Sequence, residues 1–163
     1  MKTVSKINRL LCTVEGAVMV VWFAIVLVVM TCQVISRYVL NAPLAWSEEF
    51  ARYSFVWISY IGCAYCVGVD GHTNITALVD KLPVMGQKVL RLVGNAIMAG
   101  VFLRIMPIAT NYITRNGKFL TSIMRIPFKY LYWSLPVGIV LTVIHLALKS
   151  GLLFEKPEVT KAA

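Results

Sequence analysis

Apolar residues dominate four stretches of the chain, each too long to be one face of a soluble helix. Uncharged runs extend over Gly16–Ser36, Tyr53–Val69, Leu92–Leu103 resumed after Arg104 as Ile105–Thr114, and Tyr130–Leu148. A helix rising 1.5 Å per residue needs about 20 mostly apolar residues to cross a hydrocarbon core of about 30 Å. The pattern predicts four spans, at about 10–36, 46–69, 88–113 and 130–149. The first apolar pattern, Leu10–Ile35, is interrupted by a single charge, Glu15; at about 39 Å such a helix must tilt or protrude. Between the second and third spans the period changes. Ile75, Leu78, Val79 and Leu82 recur at i, i+3, i+4 and i+7 opposite Asp80 and Lys81, which predicts a short amphipathic interfacial helix over about 74–82, stopped by Pro83.

The expected fold class is an all-α membrane protein, with four transmembrane helices in a bundle plus the interfacial helix. At 59% hydrophobic and 14% charged residues, with a mean hydropathy of +0.77, the composition is that of no ordinary soluble domain. The 163 residues leave about 40 for each helix and its loop, so 1–163 reads as a single integral membrane domain. Lys2, Lys6 and Arg9 before the first run resemble the start of a signal peptide. The run is longer than a signal core, which has roughly 7 to 15 residues, and no A-x-A-like site ends it, so a retained first helix is expected. With the N-terminus inside, nine cations fall on the cytoplasmic side (Lys2, Lys6, Arg9, Lys81, Lys88, Arg91, Lys149, Lys156, Lys161) and six outside (Arg37, Arg52, Arg115, Lys118, Arg125, Lys129). The bias places both termini in the cytoplasm. Membrane flanks thus account for most of the formal charge of +9, and nucleic acid is not an expected partner.

One block interrupts the apolar pattern with charge: Trp46-Ser47-Glu48-Glu49-Phe50-Ala51-Arg52-Tyr53-Ser54-Phe55-Val56-Trp57. Glu48 and Arg52 are four apart and Glu49 and Arg52 three apart, so on a helix the three share a face and can neutralise one another. Ser47 is a candidate cap for the helix the two glutamates open. A polar knot at the edge of lipid predicts a partner surface that covers it. Arg104, in the outer half of the third span, is expected to reach Glu48 or Glu49 inside the bundle, with snorkelling to the interface as the alternative. Pro107 beside it should kink that helix. The second outer link carries Arg115, Lys118, Arg125 and Lys129 and no acid, which suits lipid head groups, docking of an acidic protein or steering of an anionic solute.

Catalytic signatures are missing: there is no Gly-rich phosphate loop, nucleophile elbow or metal-ligand cluster, and no repeated half with paired broken helices as in many secondary transporters. Neither enzymatic activity nor a cofactor is expected. Cys63-x-x-Cys66 invites comparison with four-helix membrane thiol oxidoreductases. But a redox pair needs an exposed, electropositive thiolate, whereas these lie mid-helix; with Cys12 and Cys32 they read as small residues at helix contacts. Glu15, just inside the first span, would be the ion-coupling carboxylate of a small homo-oligomeric exporter, or else an edge carboxylate. His72 reads as a surface or capping group.

Several of these features together resemble a known family. Arg37-Tyr38, the Trp46-Ser47-Glu48-Glu49 to Arg52-Tyr53-x-Phe55-Val56-Trp57 block, Gly71-His72 followed by Val79-Asp80-x-Leu82-Pro83, and Pro127 with Pro136-x-Gly138 are similar to the small membrane subunit of tripartite ATP-independent periplasmic (TRAP) transporters. The resemblance implies an accessory, scaffolding subunit of a sodium-driven importer of organic acids, such as dicarboxylates or sialic acid, in the bacterial cytoplasmic membrane. It implies a large membrane subunit and a periplasmic substrate-binding protein as partners, with sodium coupling in the large subunit. Trp46, Glu48, Glu49, Arg52 and Trp57 carry over as signature positions in an assembly role.

Overall fold

A computed structural model describes residues 2–69 and 84–155, and among these the chain is helical, with a single isolated bridge between Leu120 and Pro127. The expected interfacial helix at 74–82 and His72 lie outside the described residues. Four long helices, α1 (Lys2–Tyr38), α2 (Ala45–Gly68), α3 (Val84–Asn116) and α5 (Ser134–Glu155), follow one another along the chain, with a one-turn helix, α4 (Lys129–Tyr132), before α5. Three of them, α1, α3 and α5, are long and apolar enough to cross a membrane. At 24 residues α2 is long enough but is not among the three; its tyrosines, serines and charged first turns dilute its hydropathy.

The packing explains that difference. α2 lies between α1 and α5, whereas α3 packs on α5 and α4 and touches neither α1 nor α2. A helix flanked by protein need not be apolar all round, and α2 buries Ser47, Glu49, Ala51, Ser54, Ile61, Ala64, Val67 and Gly68. Trp22 of α1 stacks on Trp57 of α2 with ring centroids 6.1 Å apart, and Phe23 meets Phe55 edge-on at 6.3 Å. On the other side, Gly138 of α5 lies against the backbone of Tyr60, where an added Cβ would stand 2.8 Å from the tyrosine Cβ and 3.1 Å from its carbonyl oxygen. The outward surfaces of α1 and α3 remain apolar and open, as lipid requires.

The link between α1 and α2 is stapled to the last turns of α1. Asn41 adopts a left-handed conformation (φ 51°), Ser36 Oγ donates to the Ala42 carbonyl at 2.5 Å, and the Leu44 N–H donates to Gln33 Oε1 at 2.7 Å. Ser47 therefore caps nothing: it lies inside α2, fully buried, and its hydroxyl donates back to the Leu44 carbonyl at 2.7 Å. The α1 side chain Gln33 instead ties down the N–H of Leu44, the residue just before the helix. The last span also departs from the continuous helix expected from Tyr130. Pro136 has no N–H for the Tyr132 carbonyl, and the chain makes one turn, breaks at Trp133 and restarts at Ser134, whose hydroxyl donates to Leu131 O at 2.6 Å. α3, by contrast, continues through Pro107.

Replacing Gly138 by Val forces side-chain atoms onto the Tyr60 backbone. A loss of about 1 to 3 kcal/mol is expected, read as a lower midpoint of thermal unfolding in detergent. Gly94→Ala on α3, where a Cβ meets nothing within 4 Å, should leave the midpoint of the isolated chain unchanged or raised.

Candidate functional site

The charged block at the start of α2 does not close on itself. Helical phase turns Glu49 inward, 7% exposed, while Glu48 and Arg52 point outward. Glu49 Oε1 accepts a hydrogen bond from the Tyr53 hydroxyl at 2.6 Å, one turn along α2. Its other oxygen accepts two backbone N–H groups from the distant link, Ile123 at 3.1 Å and Met124 at 2.8 Å. One carboxylate thus holds the tip of the 117–128 segment on the end of α2. Charge-assisted bonds of this kind are about twice as strong as neutral ones.

That segment is an ordered hairpin. Thr121 N–H donates to Ile126 O at 2.9 Å, Phe128 N–H to Phe119 O at 2.9 Å and Lys129 N–H to Gly117 O at 3.1 Å, while Thr121 Oγ1 accepts the Ile126 N–H at 3.0 Å. Arg125 takes the left-handed conformation at its turn (φ 52°). Gly117 has no room for a side chain, since a Cβ would collide with the Ile113 carbonyl and Lys129. The expected basic patch is therefore held in a fixed shape. Arg115, Lys118, Arg125 and Lys129 all reach the surface, and Lys129 Nζ lies 5.1 Å from the centre of the Tyr130 ring. Beneath the hairpin is an apolar hollow of about 160 Å³, bounded by Trp22, Phe50, Tyr53, Trp57, Met124 and Ile126 among others. It offers no cation to an anionic solute. Trp57 Nε1 donates to the Tyr130 carbonyl at 3.2 Å, and exposed Trp46 packs edge-on against Phe50.

Glu48 pairs across the link with Arg37, at 3.8 Å, with both side chains more than half exposed. Such a pair contributes little. Arg52 and Arg104 form no ion pair with either glutamate, because Arg52 is exposed and Arg104 projects from α3, which does not reach α2. The structure brings together Glu49, Tyr53, Trp57 and the hairpin, and leaves Arg104 apart from them.

A second polar cluster, to which sequence reasoning gave no role as a unit, joins α1, α2 and α5 at the opposite end. His145 is fully buried. Asn8 Nδ2 donates to the Gly68 carbonyl at 3.1 Å, which turns Asn8 Oδ1 toward His145 Nδ1 at 2.7 Å. Nδ1 must then carry hydrogen. Nε2 faces both oxygens of Glu15 at 3.1 Å, a contact that needs one shared proton, on the imidazole or on the carboxyl. Lys149 Nζ donates to the Val67 carbonyl on the same end of α2. Gly68 allows this convergence, since a Cβ there would meet Cys12 Sγ and His145. Glu15 is consequently an internal tie. The signal in the sequence was the depth of Glu15 and His145 within apolar runs, but the two partners stand 130 positions apart in the chain. Among the cysteines only Cys12 is buried; Cys32, Cys63 and Cys66 are exposed free thiols, not helix-contact residues.

Residues 25–155 match the family described as tripartite ATP-independent periplasmic transporters, DctQ component. The chain is 31% identical over 132 residues to the sialic acid TRAP transporter small permease protein SiaQ of Vibrio cholerae, covering 81% of this chain and 76% of that one. It is 23% identical over 142 residues to the ectoine TRAP transporter small permease protein TeaB of Halomonas elongata, 85% of this chain and 73% of the relative. A third relative, the sialic acid TRAP transporter permease protein SiaT of Haemophilus influenzae, is 29% identical over 99 residues, which are 61% of this chain but only 15% of that polypeptide.

Removing the Glu49 carboxylate leaves two backbone donors without an acceptor. Glu49→Ala should accelerate amide hydrogen exchange at Ile123 and Met124 by about 10- to 100-fold, from a loss of about 1.5 to 3 kcal/mol, with α5 amides unaffected. Glu15→Ala, which strips the partner from a buried imidazole, should cost about 3 to 5 kcal/mol in detergent unfolding. Glu15→Gln, able to donate to Nε2, should cost less than half of that.

Proposed function

The chain belongs to the DctQ family of TRAP transporter components, a small permease subunit; from that premise we propose that it is the rigid, non-catalytic brace of a sodium-coupled importer of organic acid anions. The solute and the coupling ions bind on a large membrane subunit, and this chain needs no cofactor of its own. The observation that carries the reading is the match to SiaT, in which 99 residues matching 61% of this chain make up 15% of one longer permease polypeptide. A segment carried within a longer permease polypeptide acts beside the rest of that permease, in fixed stoichiometry with it. The relatives named for sialic acid and for ectoine support leaving solute choice to other chains.

The internal architecture suits bracing. Ties at both ends of α2, Glu49 to the hairpin and His145–Glu15–Asn8 at the other end, hold three helices against relative sliding, and the hollow beneath the hairpin is apolar. Four spans with both termini in the cytoplasm complete the proposal. α2, about 36 Å long by its residue count, lies between two helices that can themselves cross, and the excess of Lys and Arg at the proposed inner side supports the orientation. The hairpin then faces the periplasm in a bacterial cytoplasmic membrane. Lys118 and Arg125 of the hairpin, with Arg115 and Lys129 at its two ends, dock an acidic face of the periplasmic binding protein.

Reversing Arg115, Lys118 and Arg125 to Glu together should lower uptake by the assembled transporter at least tenfold at low ionic strength, with a much smaller effect when salt already screens the surface. The large subunit should still co-purify. Uptake that is unchanged at low salt refutes the docking role, and failure of the wild-type chain to co-purify with a large permease subunit refutes the brace.

A further inference from the structure

Among the cations of the long helices, Arg104 is the farthest from a helix end. Along the axis of α3 it stands about 18 Å from Asn116 and about 30 Å from Val84. Its side chain is exposed, and the residues sharing its face on neighbouring turns are bare: Ile97 is 63% exposed, Val101 52% and Ile108 68%. Only 6% of the most apolar stretch of α3 is buried, against 39% for α5. Beside Arg104, Pro107 has no N–H to give the Leu103 carbonyl. A guanidinium and a carbonyl without its helical donor thus share one small region of an otherwise apolar surface. Charged groups at this depth face protein or water far more often than lipid.

Of the acids whose side chains are described, none serves Arg104: Glu15 is bound to His145, Glu48 to Arg37 and Glu49 to the hairpin. The outward face of α1 offers no comparable feature, since Gly16–Ser36 carries no charge at all. A second copy of the chain is a poor occupant. Two-fold contact through this face would set one Arg104 region against its own equivalent, cation toward cation. The depth excludes a water-soluble protein.

On the reading that the chain sits beside a large permease subunit, we propose that the face of α3 around Arg104 receives a membrane-spanning helix of that subunit, which brings a carboxylate to the guanidinium. Planar, bidentate pairing of Arg with a carboxylate fixes the register of the two helices as well as their contact. The bare side chains at Ile97, Val101 and Ile108 supply the apolar surround that keeps water from the pair.

The test co-expresses the tagged full chain with the large permease subunit of the same transporter. Arg104→Glu should reduce recovery of the large subunit at least tenfold, Arg104→Ala severalfold and Arg104→Lys least. The unfolding midpoint of the small subunit purified alone should not move in any of them, because Arg104 pairs with no acid whose side chain is described. In a background lacking the four native cysteines, Ile97→Cys and Ile108→Cys should cross-link to the large subunit and Val20→Cys on α1 should not. An intact complex with Arg104→Glu, or cross-links from position 20 in place of 97 and 108, overturns the assigned face while leaving the small-subunit reading in place. If wild-type chain recovers no large subunit at all, that reading falls and the proposal falls with it.

Discussion

A polar group removed from water must find its partner inside the protein, and α2 is placed by two such demands, one at each end. At its start, a buried carboxylate is satisfied by a tyrosine hydroxyl and by backbone N–H groups, and those N–H groups belong to a hairpin 74 and 75 positions along the chain. At its other end, the Gly68 and Val67 carbonyls are taken by Asn8 of α1 and Lys149 of α5, around a histidine with no exposed surface. Where lipid supplies no hydrogen bonds, a helix moved by one turn would leave both sets unpaired. The apolar contacts between, such as Trp22 on Trp57 and Gly138 on Tyr60, fit the helices closely but do not by themselves choose a register.

This arrangement divides the molecule into a braced part and a free one. α1, α2, α5 and the hairpin are cross-linked by side-chain hydrogen bonds, whereas α3 hangs on α5 with its outer surface bare. The division suits a component of a tripartite transporter. The braced part resists deformation, and the bare part offers a long surface to a neighbour. Charge is distributed on the same plan: buried acids serve internal ties, the cations of the hairpin lie at one end, and Arg104 stands by itself on the bare helix.

The residues of the Trp46–Trp57 block show where sequence reasoning succeeded and where it stopped. That charged side chains gather at the mouth of α2 was legible from spacing alone. That Glu49 alone would be buried, under the chain's own hairpin, with Glu48 and Arg52 left exposed, was not. Helical spacing puts Glu48, Glu49 and Arg52 on neighbouring faces and makes their mutual pairing plausible, but the roll of α2 between α1 and α5 turns Glu49 in and the other two out. Once buried, Glu49 meets backbone donors instead of a guanidinium. Arg104 was placed beside the glutamates because depth matched; the helix order puts α5 between them.

The long apolar helices and the basic segment after α3 were legible in the sequence, because each depends on runs of residues or on period within one segment. Folding alone set the long-range ties: Glu49 on the hairpin tip, and Glu15 and Asn8 on His145. Hydrogen bonds between partners 60 to 137 positions apart leave no periodic trace in a single chain. Their direction is set only when helix order and rotation bring donor and acceptor within about 3 Å.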